Sequence, residues 1–203
     1  MKGLPTQVTG RDVPASAGAG TSVAPSRVRY MGWERRWRLA LTLALAVYGW
    51  ECIRTPGRYR WLDSLDLAIH ETGHLVFGFD GEPLMLLGGT LLQLLIPAAF
   101  TVALWRQGDR HGATVPLWWL GQNCWNISVY IKDARAQELP LVGGGEHDWA
   151  LLLGEMGWLD RDQALGGAVY LTGVVLYAVA IVTGWRALSA RGVTDEPAAA
   201  SAP

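Results

Sequence analysis

The chain of 203 residues carries 17 Lys and Arg against 18 Asp and Glu, so its formal net charge is −1. Half of the residues are apolar and 17% are charged, whereas a soluble domain carries about 25% charge. The near-neutral balance gives no electrostatic reason to expect nucleic-acid binding, and two distant cysteines in apolar stretches disfavour a disulfide scaffold. The composition therefore disfavours a soluble enzyme and a disordered chain, and it favours a small membrane protein.

Both ends of the chain are predicted to be disordered tails. Residues 1–26 are rich in Ala, Gly, Ser, Thr, Val and Pro without an apolar period, and residues 191–203 end in Ala, Ser and Pro. The first tail does not resemble a signal peptide, because no apolar core of about 7–15 residues follows the start. We expect residues 27–190 between the tails to form one transmembrane domain.

Five apolar segments in this domain predict membrane-spanning helices. The predicted fold is therefore an all-α, polytopic bundle of about five spans. The segments are residues 39–53, 61–79, 83–104, 113–131 and 168–187.

The orientation of the bundle is predicted from the basic residues beside its spans. Lys and Arg are nearly balanced between the two sides of an alternating five-span chain, so five Arg between residues 27 and 38 decide the orientation. We expect a multi-pass protein of a bacterial-type plasma membrane, with its N-terminus in the cytoplasm. The loop 132–167 is predicted to lie on the same side.

The second segment contains a motif that carries chemistry. Residues 70–74 read HETGH, an HExxH motif inside an apolar stretch. His70 and His74 stand one helical turn apart on one face, so both imidazoles can bind one Zn²⁺. Glu71 is offset by one residue and would act as a general base beside a zinc-bound water. The alternative is that hydrogen bonds between helices satisfy the two histidines.

The motif and the segment after it resemble a known family. HETGH in an apolar segment, with Gly78, Gly88-Gly89 and residues 93–97 further along the chain, is similar to the site-2-protease-type intramembrane zinc metallopeptidases, over about residues 61–133. This resemblance implies a metallopeptidase-like transmembrane domain that uses Zn²⁺. It assigns His70 and His74 as metal ligands and Glu71 as the catalytic base. The substrate it implies is a peptide or protein embedded in the lipid bilayer.

The family also carries an Asp on a later span, in an Asn-x-x-Pro-x-x-x-x-Asp-Gly-like segment. Residues 126–133 are the comparable stretch here, from Asn126 to Asp133, without the Pro and with Ala134 in place of the Gly. Asp133 is our predicted third ligand, because catalytic zinc usually has three protein ligands and because Asp133 should emerge on the same side as His74. The alternative is an ordinary ion pair of Asp133 with Lys132 or Arg135.

Two further residues compete for the third position. His147 comes after three glycines that permit sharp turns, so it is an alternative third ligand. Asp148 next to it could ligate the metal or orient another ligand. The other interpretation of this segment is a flexible polar loop.

A polar stripe on the fourth segment predicts contacts with a substrate. Asn123 and Asn126 belong to a row spaced by three and four residues, which faces the bundle interior or a wet cavity. We predict that Asn123, Asn126 and Gln93 bind the substrate backbone. Hydrogen bonding between helices is the alternative for the two Asn residues.

The sequence thus predicts an intramembrane zinc metalloprotease that hydrolyses peptide bonds with a zinc-activated water and Glu71 as the base. Two alternatives stay open. A membrane zinc hydrolase of a lipid amide would use the same chemistry, and a non-catalytic zinc-binding membrane protein or metal transporter would use the ligands alone.

Overall fold

A computed structural model describes residues 32–79, 81–141 and 146–189, and within these ranges the chain is helical without strands. The all-α class is therefore confirmed. The predicted tails, 1–26 and 191–203, and the three glycines before Glu146 lie outside the described residues. The helices are α1 (Gly32–Arg54), α2 (Trp61–Phe77), α3 (Glu82–Arg106), α4 (Thr114–Lys132), α5 (Asp148–Glu155) and α6 (Asp162–Ser189), with a 3₁₀ turn at Leu159–Arg161 before α6.

The five long helices correspond to the five predicted segments. In the described part of the chain, two helical stretches are long and apolar enough to cross a membrane by length and composition. These are α3 and the stretch Leu159–Ser189 that contains α6. Helix α2 is shorter, with 17 residues, α4 carries several polar side chains, and α1 has charged residues at both ends.

Helix α4 is the centre of the bundle, since 11 of its 19 residues are buried. It packs against the antiparallel α6 through facing glycines. A Cβ added to Gly121 would lie 2.9 Å from the carbonyl oxygen of Gly173. Small residues at this crossing let the two backbones approach closely, as is common between membrane helices.

Helices α2 and α3 are also antiparallel and approach through glycines. Gly73, inside the HETGH motif, faces Gly88, and a Cβ on Gly88 would lie 2.7 Å from the carbonyl oxygen of Gly73. Neither position has room for a side chain. The motif helix is thereby held directly against the first half of α3.

Helix α1 runs in an unexpected direction. Near its start, Arg38 Nη1 donates to Asp109 Oδ1 at 2.9 Å, and Thr42 Oγ1 lies 3.0 Å from His111 Nε2, both in the α3–α4 connection. Near its end, the carbonyl oxygen of Ile53 accepts from the Tyr170 hydroxyl at 2.9 Å. Helix α1 is therefore parallel to α4 and antiparallel to α6.

This direction corrects the expected alternation of five spans. Because α2 and α4 both run antiparallel to α3, α1 and α2 point the same way, one after the other. The α1–α2 connection lies beside the middle of α4, where Asp63 accepts from Gln122. The start of α1 and the described residues 132–141 and 146–162 consequently lie at opposite ends of the bundle, contrary to the prediction that they share one side. The physical reason is the pair of polar anchors, Arg38 and Thr42, that holds α1 to the α3–α4 connection.

Candidate metal centre

The two histidines of the motif are oriented by hydrogen bonds to their Nδ1 atoms. His70 Nδ1 lies 3.2 Å from Gln93 Oε1, and His74 Nδ1 lies 2.8 Å from the carbonyl oxygen of Met85. Both partners are oxygen acceptors, so a proton on each Nδ1 satisfies them, and this tautomer would leave each Nε2 free to bind a metal. Histidine ligands of metals are held in this way.

Asp148 completes a group of three side chains. Its Oδ2 lies 3.0 Å from His70 Nε2 and 3.4 Å from His74 Nε2, and the potential ligand atoms of all three residues lie within 4.8 Å of one another. His70 and Asp148 are buried, with 7% and 8% of their surfaces exposed. Three potential ligand atoms therefore converge, two of them on buried side chains and the third on the half-buried His74. This group could hold a divalent cation, and two imidazoles with one carboxylate are a donor set that suits Zn²⁺.

The short helix α5 carries Asp148 into this position. His147 caps the helix, because its Nδ1 accepts from the backbone N–H of Ala150 at 3.2 Å. The backbone N–H of Asp148 donates to the Tyr130 hydroxyl at 3.1 Å. Leu153 of α5 packs with Ile127 and the end of α4 in one apolar cluster, which anchors α5 beside the motif helix.

Asp133, the predicted third ligand, is placed away from the histidine pair. Its two carboxylate oxygens accept from the backbone N–H groups of Glu138 and Leu139, each at 3.0 Å, where the chain turns after α4. Its Oδ2 also lies 3.4 Å from His147 Nε2. The group that could hold a metal therefore contains Asp148, the alternative ligand of the sequence analysis, and not Asp133. The carboxylate of Asp133 accepts hydrogen bonds at the end of α4, whereas α5 brings Asp148 back to the motif.

His147, the alternative ligand, faces Asp133 as well. Its ring stacks on Tyr130 with 4.2 Å between the ring centroids. Burial lowers the pKa of His147 below its ordinary value, and the nearby carboxylate of Asp133 does not compensate fully. Among the described residues, the ion pair of Asp133 with Lys132 or Arg135 does not form. Arg135 pairs with Asp162 instead, at 2.8 Å.

A cavity of about 700 Å³ opens beside the three residues. Glu71 lines it and is exposed to it, as the role of a base requires. Apolar side chains such as Leu67 and Leu86 and the α1–α2 connection form further walls. The volume is in the range of small-molecule pockets, about 300–1,000 Å³.

The predicted substrate-binding residues separate into two groups. Gln93 and Asn126 line the cavity and are joined by a hydrogen bond of 3.1 Å from Gln93 Nε2 to Asn126 Oδ1. Asn123 is fully buried, donates to the carbonyl oxygen of Trp119, and is not among the residues that line the cavity. Tyr130 contacts Asp148 at the centre but received no role from the sequence, although it stands four residues after Asn126 and so continues the polar stripe.

Comparisons with known proteins add no further assignment. The chain matches no model of a protein family, no curated protein and no solved structure. Function must therefore be argued from the site itself.

Proposed function

We propose that this protein is a membrane-embedded zinc hydrolase that cleaves peptide bonds of substrates within or beside the bilayer. The observation that carries the proposal is the convergence of His70 Nε2, His74 Nε2 and Asp148 Oδ2, three acceptor atoms on side chains whose orientation is fixed by other contacts. Three protein ligands with an open fourth position are typical of catalytic rather than structural zinc.

The residues around the site have separate tasks in this reaction. Bound Zn²⁺ supplies Lewis acidity toward a substrate carbonyl and lowers the pKa of a water. The Glu71 carboxylate accepts the proton of the attacking water and returns it to the leaving amine. The cavity beside Glu71 admits the substrate chain, and its apolar walls reduce the access of bulk water.

Exposed apolar side chains support the placement of the bundle in a bilayer. Val47, Leu75, Phe100 and Val175 on four different helices are 57–77% exposed, and such surfaces are unusual on a soluble monomer. Because α1 and α2 run in the same direction, we count four passages rather than five. The first passage consists of α1 and α2 in tandem, and the other three are α3, α4 and α6. The irregular α1–α2 connection lines the cavity, where backbone at membrane depth can be hydrated.

The basic residues give this arrangement an orientation. One end of the bundle holds the start of α1, the α3–α4 connection and the end of α6, while the metal centre lies toward the other end. Cytoplasmic flanks carry an excess of Lys and Arg, so the first end is cytoplasmic and the metal centre opens toward the outer side. Within the described residues, the first end has Arg35, Arg36, Arg38, Arg106, Arg110 and Arg186, and the second has Lys132, Arg135 and Arg161. Arg54, Arg58 and Arg60 lie at the α1–α2 connection, between the two ends.

The Glu71→Gln variant tests the proposal. The full chain is reconstituted in liposomes with a panel of fluorogenic single-span peptides, and zinc is measured on the same samples. We expect Glu71→Gln to retain zinc and to lose hydrolysis by at least about 100-fold, since it removes the base and no metal ligand. Glu155→Gln is the matched control, because Glu155 is exposed at the end of α5 and does not line the cavity.

Two results would contradict the proposal. One is a metal-replete preparation of the wild type that contains no zinc, and the other is zinc-dependent hydrolysis that survives in Glu71→Gln. Zinc binding without hydrolysis of any peptide also refutes the protease assignment. A lipid-amide probe in the same liposomes then separates a lipid hydrolase from a metal-binding protein without catalysis.

A further inference from the structure

A continuous line of hydrogen bonds leads from His70 through side chains of α3 and α4 to the buried carboxylate of Asp63 at the start of α2. His70 Nδ1 lies 3.2 Å from Gln93 Oε1, and Gln93 Nε2 donates to Asn126 Oδ1 at 3.1 Å. Asn126 Nδ2 in turn donates to Asp63 Oδ1 at 3.4 Å. We call these four residues the relay.

The donors of the relay all point in one direction. Each amide accepts from the residue nearer the metal centre and donates to the residue nearer Asp63. This order requires a proton on His70 Nδ1, so Nε2 is the atom that would bind the metal. The relay ends on the carboxylate of Asp63, and hydrogen bonds to a charged acceptor are stronger than those to a neutral one.

Asp63 is held in place independently of the relay. Its Oδ2 accepts from the backbone N–H of Arg60 at 2.6 Å, and its Oδ1 accepts from Gln122 Nε2 at 2.9 Å. Asp63 is 6% exposed and Gln93 is 2% exposed, so both residues are buried at the wall of the cavity. With three donors, the carboxylate has the partners that a buried charge requires.

We propose that Asp63 is a positioning residue for the metal centre and acts on His70 through Asn126 and Gln93. The negative charge at the far end polarises both amides, fixes the tautomer and ring orientation of His70, and makes its Nε2 a stronger ligand. This is the carboxylate–histidine–metal arrangement with two amides inserted between the carboxylate and the ring. The inference rests on the metal site of the proposed function, but it concerns affinity for the metal rather than catalysis.

The Asp63→Asn variant tests the relay, because an asparagine oxygen can still accept from Asn126 while the charge is lost. Zn²⁺ affinity is measured on the full chain in detergent by competition with a chelator, and Co²⁺ absorption reports the ligand field. We expect Asp63→Asn to weaken Zn²⁺ binding about 10-fold, as loss of an outer partner of a ligand does, and to shift the Co²⁺ bands. Asp66→Asn is the matched control, since Asp66 is also a buried carboxylate, one turn on, that accepts from Trp119 and lies outside the relay.

A double variant distinguishes transmission through the relay from a general effect on folding. Gln93→Leu interrupts the relay at its first amide, so Asp63→Asn should change Zn²⁺ affinity less than about twofold in that background. Equal weakening by Asp63→Asn and Asp66→Asn, or additive effects of Asp63→Asn and Gln93→Leu, would overturn the inference. So would an Asp63→Asn variant with unchanged affinity, while the proposed zinc site stands. A wild type that binds no Zn²⁺ overturns both.

Discussion

Replacing Gly89 by alanine should abolish metal binding although no ligand residue is substituted. A Cβ at position 89 would lie 2.5 Å from His70 Nε2 and 2.6 Å from its Cδ2. Non-bonded heavy atoms require about 3.5 Å, so the ring must recede by about 1 Å. Metal–ligand distances tolerate only about 0.2 Å, so His70 can no longer coordinate in its present place.

The displacement has a cost in stability as well. The ring of His70 cannot move by this amount and keep its contacts with Gln93 and Asp148, at 3.2 and 3.0 Å. Overpacking of this kind destabilises proteins by about 1–3 kcal/mol. For Gly89→Ala we therefore expect zinc affinity to fall by more than about 100-fold, together with a lower thermal midpoint of the metal-free protein.

The measurement combines chelator competition with thermal unfolding monitored by tryptophan fluorescence. Gly167→Ala is the control, because Gly167 is also helical and a Cβ there meets nothing within 4 Å. The control should bind zinc normally and gain up to about 1 kcal/mol of stability from helix propensity. Wild-type zinc affinity in Gly89→Ala would refute the placement of His70 against α3 and with it the ligand role of His70.

Two further predictions concern the third ligand and the orientation. Asp148→Ala should lose zinc, whereas Asp133→Ala should keep zinc and lose about 1–3 kcal/mol of stability, because two backbone N–H groups lose their acceptor. Zinc retained in Asp148→Ala and lost in Asp133→Ala would restore Asp133 as the ligand. With impermeant thiol reagents on intact cells, a cysteine introduced at Gln107 should be protected and one at Glu155 should be labelled, and the background should be low because both native cysteines are buried. Labelling of both positions from the same side would contradict the four-passage arrangement.

The amino-acid sequence by itself determined the helical segments and the core of the site. Apolar segments of 15 to 22 residues, separated by Gly, Pro and Arg, mark the five long helices because a buried or lipid-covered backbone must satisfy its own hydrogen bonds. The HETGH spacing placed His70 and His74 on one face because helical periodicity is a local property. Both features depend on residues close together in the chain, so no tertiary information was needed.

The tertiary structure alone decided the third residue of the centre and the direction of α1. Asp133 and Asp148 are equally good ligands by chemistry, and the choice depends on how α5 folds back after the end of α4. Apolar segments carry no information on direction, which is decided here by contacts such as Arg38 with Asp109, 71 residues apart. The relay from Asp63 to His70 likewise joins three helices, and its members acquire a common role only when α2, α3 and α4 pack together.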